Sequence, residues 1–298
     1  MRQGPTLHLA FQGGCGACTL LSRRMCTAYE DRPAHCRYFP FHVYFGRRTE
    51  AYVNRSCRGV EPLAPHALTG AVMEGNRADA NTAFQAQVLA VAAPTALAEH
   101  EREARRVHAE FERKAKAAGV WGDADAALRD AVALPWFTEP PSAERWAEAL
   151  GPFAEEDVVA RPFYLDAGLR WLTFRRDGTR IEVLEMQEDG SLTVEGTELR
   201  PTAKAPPQSA AAGLQDVLGR LAARDVMAGQ TFDLVDASRY RLTVAKAARH
   251  RVAQVAADLA VRVQVLQALG VAEEQLAAEA ERFYDAAFLD APTIGGWL

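Results

Sequence analysis

All five cysteines of this 298-residue chain fall between Cys15 and Cys57, and none occurs from Arg58 to Leu298. Cys15, Cys18, Cys26, Cys36 and Cys57 follow the spacing C-x2-C-x7-C-x9-C-x20-C, with Gly13, Gly14 and Gly16 around the first pair. Two thiols two residues apart among small residues let backbone N–H groups turn toward the sulfurs, as in metal knuckles and cluster loops. An odd number of thiols also strands one under simple pairing, and clustered cysteines in a reducing compartment serve as ligands or redox groups rather than as a disulfide framework. The five cysteines are therefore the candidate ligands of a metal ion or an iron–sulfur cluster. A dithiol redox pair at Cys15-Gly16-Ala17-Cys18 is the competing reading. It requires a strand before the pair and a helix after it in an alternating fold, which the next forty residues do not suggest.

The rest of the chain does not depend on that module for a core. A content of 49% hydrophobic and 24% charged residues is ordinary for a soluble globular protein, and the length allows one large domain or two smaller ones. Residues 1–10 lack a basic-then-apolar leader, and the longest apolar run, 88–97, is interrupted by Pro94 and is too short to span a bilayer. The expectation is a cytoplasmic protein with no membrane partner. Charge is uneven: residues 1–60 hold nine arginines and no lysine against Glu30, Asp31 and Glu50, in a chain of net charge −5. Such arginines would offset the negative charge of a thiolate site. They could also face nucleic acid, but an all-arginine set in an acidic protein disfavours nucleic acid as a partner.

Taken in order, residues 6–12 read as a short strand entering the first cysteine pair. Pro33 suits a first helical position and Pro40 ends any helix begun there. Phe41–Phe45 and Ala51–Val53 read as strands across Gly46-Arg47-Arg48, returning the chain so that Cys57 faces Cys36. Residues 99–119 read as a helix with Val107, Phe111 and Ala115 on one face and Gly119 as its stop. Further helices are expected over 123–132 and 142–150, the second capped by Ser142. Three strands near 170–175, 179–186 and 191–195 form a meander turned by Asp177-Gly178 and Asp189-Gly190. Helices over about 210–227, 245–269 and 273–288 close the chain after a linker at 202–209.

The fold class is thus α+β and mostly helical. A Cys-rich module (1–65) leads to a helical region (66–150), an antiparallel β-meander (151–200) and a C-terminal helical region (201–298). Trp136, Trp146 and Trp171 are expected at the interface between the helical and hairpin regions. His35 and His42 lie close enough to the cysteines to complete a mixed site, although a surface role is the simpler reading. His66, His100, His108 and His250 have no ligand-type partner at a useful spacing. A protein partner, if there is one, is expected on the helical region.

The segment Cys26-x2-Tyr29-x2-Arg32-Pro33-x2-Cys36-Arg37-x2-Pro40 resembles the YkgJ-type cysteine-cluster family, whose members are described as zinc- or iron-chelating proteins. Cys15-Gly16-Ala17-Cys18 and Cys57-x-Gly59 resemble the flanking elements of that pattern, so the likeness covers about residues 13–60. Thr19 stands where the family doubles a cysteine, and the family's longer insert before the Cys-x2-Tyr unit is absent. Those departures imply one mononuclear site or one cluster. Tyr29, Arg32 and Arg37 would support the cofactor by orienting the loop and donating to sulfur or backbone. Distant similarity between such proteins and flagellin lysine N-methylases implies an alternative, an enzyme that uses the bound metal or cluster in redox chemistry or protein modification. Thiolate-rich sites take iron, iron–sulfur clusters or zinc. The aromatic cover from Tyr38, Phe39, Phe41, Tyr44 and Phe45 tips the balance slightly to iron or iron–sulfur, with zinc the close alternative.

Overall fold

The computed structural model describes residues 21–22, 25–26, 41–53, 94–138, 163–168, 170–177, 180–187, 192–199 and 206–288. Helices dominate them, with small antiparallel sheets, in agreement with a mostly helical α+β chain. Two short hairpins come first: β1 (Leu21–Ser22) with β2 (Met25–Cys26), and β3 (Phe41–Phe45) with β4 (Thr49–Val53). Helices α1 (Pro94–Ala117) and α2 (Ala124–Val132) follow. A four-stranded sheet in the order β5-β6-β7-β8 comes next, from Phe163–Leu165, Trp171–Asp177, Arg180–Met186 and Leu192–Leu199. The chain then forms α3 (Gln208–Ala222), α4 (Asp225–Ala237), α5 (Val244–Ala268), a 3-10 turn (Glu273–Gln275) and α6 (Leu276–Phe288).

Helix α5 is the centre of the fold, because most of its length is enclosed by the other helices. Alanine and valine supply most of its buried residues, and α2, α3, α4 and α6 all pack against it. Ala247, Ala248, Ala256 and Ala260 keep its neighbours close. The Thr243 hydroxyl accepts from Lys246 N–H at its start. Gly270, at φ 80°, ends it, with Val271 N–H donating to Leu266 O in a left-handed cap. Gly119 closes α1 the same way at φ 70°, as its place after the helical run predicts.

The structure corrects several expectations. Within α1, Val107 is 45% exposed. Phe111 and Ala115 are buried, and His108 takes the inward position one turn before them, its ring packed at a tilt against Trp121 and Phe232. The contact stripe runs through i−3 from Phe111 rather than i−4, a choice that periodicity alone leaves open. The meander has four strands, since β5 pairs with β6 and is only three residues long. The single helix expected over 210–227 is two, broken at Ala223-Arg224 before α4. Nor do the tryptophans fill one interface. Trp136 folds back on α2, its indole N–H donating to Ala131 O at 2.8 Å, and Trp171 is 40% exposed. Trp146 and the helix expected over 142–150 lie outside the described residues.

One face of the sheet joins the helical core. Tyr164, Leu172 and Val183 are buried, the Tyr164 ring packs on Phe283 of α6, and its hydroxyl donates to Glu279. One apolar cluster therefore draws on α1, α2, the sheet and α3 to α6 together.

Candidate functional site

Of the five candidate ligands, Cys26 alone belongs to a described element: it ends β2, paired across the hairpin with Leu21. Cys15, Cys18, Cys36 and Cys57, with Tyr29, Arg32 and Arg37, lie outside the described residues, as do His35 and His66. Among the described residues no three His, Cys, Asp or Glu side chains gather as a metal site. Between the cysteines the structure describes two hairpins. The β1–β2 hairpin lies between Cys18 and Cys26, and the β3–β4 hairpin between Cys36 and Cys57, with Phe41 opposite Val53 and Phe45 opposite Thr49.

The tip of the second hairpin is locked onto the helical body. Asp225, first residue of α4, is 1% exposed and receives the Arg47 Nε–H at 2.8 Å and the Arg48 backbone N–H at 3.3 Å. Arg47 also reaches Asp125 of α2 through both terminal nitrogens, at 3.1 and 2.7 Å, and lies over the Phe232 ring. Glu50 accepts from the Asp225 backbone N–H, so a carboxylate from a distant strand caps α4. Arg224, at the cap position itself, makes no such side-chain bond.

Shape reinforces charge at this junction. A Cβ on Gly46 would overlap the Asp225 carboxylate and the Tyr44 ring, and one on Gly229 would overlap the Tyr44 hydroxyl. Tyr44 therefore seats directly on the backbone of α4, where burial and the charge of Asp225 push its pKa to about 12. Burial opposes the charge on Arg47, but the hydrogen bonds and charges of Asp125 and Asp225 outweigh it and leave its pKa raised. Arg47 in turn holds Asp125 below the usual carboxylate range. Arg47, one of the nine N-terminal arginines, thus pairs with carboxylates of the body, Asp125 and Asp225.

A second polar feature was not read from the sequence. Arg251, Gln254, Asp258 and Arg262 form a buried stripe along α5. Arg262 Nε–H donates to Asp258 Oδ2 at 2.8 Å and its Nη1 to Phe283 O at 2.6 Å, with the guanidinium over the Phe283 and Tyr284 rings. Beside it, Arg220 pairs with Glu281 and Arg224 with Asp285, tying α3 and the start of α4 to α6. Burial raises the pKa of Asp258 and lowers that of Arg262, and each partner's charge opposes the shift. The available signal was the spacing: Arg251, Gln254, Asp258 and Arg262 fall at i, i+3, i+7 and i+11, along one face of the helix.

No helix among the described residues is long and apolar enough to cross a membrane. Compared with known protein families, curated proteins and solved structures, the chain matches none.

Proposed function

We propose that this chain is a metal-binding protein of the YkgJ type, holding iron or an iron–sulfur cluster, with zinc the close alternative, through Cys15, Cys18, Cys26, Cys36 and Cys57. The observation that carries the reading is the confinement of every thiol to one short stretch of a long chain. Thiolates are the donors that iron–sulfur clusters and closed zinc sites require, and four of the five suffice. Tyr29, Arg32 and Arg37 would then orient the loop and donate to sulfur.

The two hairpins support convergence through covalent reach. Cys18 lies three residues from Leu21, which faces Cys26, so those two Cα atoms are within roughly 15 Å of each other. The β3–β4 pairing shortens the greatest span between Cys36 and Cys57 from roughly 70 Å to roughly 36 Å. Because Arg47 and Glu50 anchor the same hairpin to α4, ligation at its open end would join the module to the helical body.

Anaerobic purification, metal analysis and an absorption spectrum test the proposal. Iron with sulfide and broad visible absorption is the expected result, and about one zinc per chain would select the alternative metal. The metal should be lost from a Cys15→Ser/Cys18→Ser variant that retains the wild-type circular dichroism of the helical body. A chain that holds no metal as isolated or after reconstitution refutes the proposal.

A further inference from the structure

The two arginines buried on α5 have very different surroundings. Arg262 has a carboxylate, a backbone carbonyl and two aromatic faces. Arg251, 3% exposed, has among the described residues a single side-chain hydrogen bond, from Nη1 to Gln254 Oε1 at 2.9 Å. Its Nε–H has no acceptor among the described residues. Among the described residues no carboxylate lies within ion-pair distance; burial lowers the Arg251 pKa, opposed first by Tyr284 of α6 and then, from farther away, by Asp233 of α4.

A guanidinium taken out of water with one neutral partner is costly unless an anion joins it. Its geometry defines what that anion looks like. Gln254 occupies Nη1 and leaves the side-on edge formed by Nε and Nη2, the fork that accepts a carboxylate or a phosphoryl group through two parallel bonds. On the occupied side Gln254 continues toward the surface: His250 is partly exposed, and its Nε2 lies 3.2 Å from the Gln254 amide nitrogen. Gln254 thus fixes the guanidinium plane from one side while its amide faces His250 on the other.

We infer that Arg251, held by Gln254, is the anchor of a binding site for the oxyanion group of a small molecule, a carboxylate or a phosphate. The burial of the anchor excludes a macromolecular surface as ligand. The site is separate from the cysteine module and stands whether or not that module holds a metal.

Thermal unfolding of the full chain with inorganic phosphate, with succinate and with chloride at matched ionic strength is the test. Phosphate or succinate at about a hundred times its dissociation constant should raise the wild-type midpoint by roughly 5 °C over chloride. The rise should vanish in Arg251→Gln. A response to succinate alone assigns a carboxylate ligand, to phosphate alone a phosphorylated one, and to both a general oxyanion site. Should Arg251→Gln fail to fold, the arginine Nε–Hε spectrum of the ¹⁵N-labelled wild type gives the answer, because one buried signal must move on titration. The inference fails if neither ion exceeds chloride, if the rise persists in the variant, or if no Nε–Hε signal moves.

Discussion

Removing the positive charge of Arg47 should loosen the hairpin from the helical body, and the structure sets the size of the effect. In Arg47→Met the buried Asp225 carboxylate keeps the Arg48 backbone N–H and the Arg48 guanidinium 3.9 Å from Oδ1 but loses the close guanidinium of Arg47 on that oxygen. Orphaning one member of a buried ion pair costs about 3–5 kcal/mol. Arg47 retains some solvent contact, which favours the lower end, and the loss of the more exposed Asp125 pair adds under about 1 kcal/mol. The expected loss is about 3 kcal/mol, or roughly 6 °C or more in melting temperature. Replacing both partners, Arg47→Met with Asp225→Leu, removes the stranded charge and should recover at least half of it. Urea unfolding of the wild type, both single variants and the double variant measures the coupling, expected at about 2 kcal/mol. Single-variant losses that simply add, within about 0.5 kcal/mol, would refute the latch.

Two further perturbations probe the same junction. Gly229→Ala should lose stability, since crowding Tyr44 costs about 1–3 kcal/mol against a helix-propensity gain of about 1 kcal/mol. In a Tyr44→Phe background the same change should be neutral or stabilising by up to about 1 kcal/mol, and melting curves of the four proteins decide. His108 is held below its ordinary pKa by burial and then by Arg47. The unfolded chain therefore binds more protons than the folded one below the ordinary histidine pKa of about 6.5. Stability should rise with pH across that window and fall as the pH drops, and His108→Phe should flatten the melting profile between about pH 5 and pH 7.

Much of the secondary structure was legible in the chain because it follows from local rules. Gly119 after a charged helical run, Asp123 before a short amphipathic one, Asp177-Gly178 between alternating strands and Gly46-Arg47-Arg48 between aromatic ones each mark a boundary by backbone preference, and each is found at or beside its place. The break between α3 and α4 was not legible. Ala223-Arg224 carries no helix-breaking residue, and the capping group is Glu50, far away in sequence. The end of α4 was equally hidden. Arg239 and Tyr240 stand at φ 54° and 60°, where glycine would be expected, and packing of Tyr240 on Phe111 accompanies the unusual backbone.

By itself the sequence determined where the thiols are, that the chain is mostly helical with a β-meander, and that a long helix runs over about 245–269. Which charges pair was decided by tertiary structure alone. Arg47 lies within the cysteine module in sequence and is bound to α2 and α4, while Arg251 and Arg262, alike as letters on one helix, differ because among the described residues only Arg262 of the two meets a carboxylate. The physical reason is that periodicity and turn preference act over a few neighbouring residues, whereas the environment of a charge depends on groups that folding brings from elsewhere in the chain.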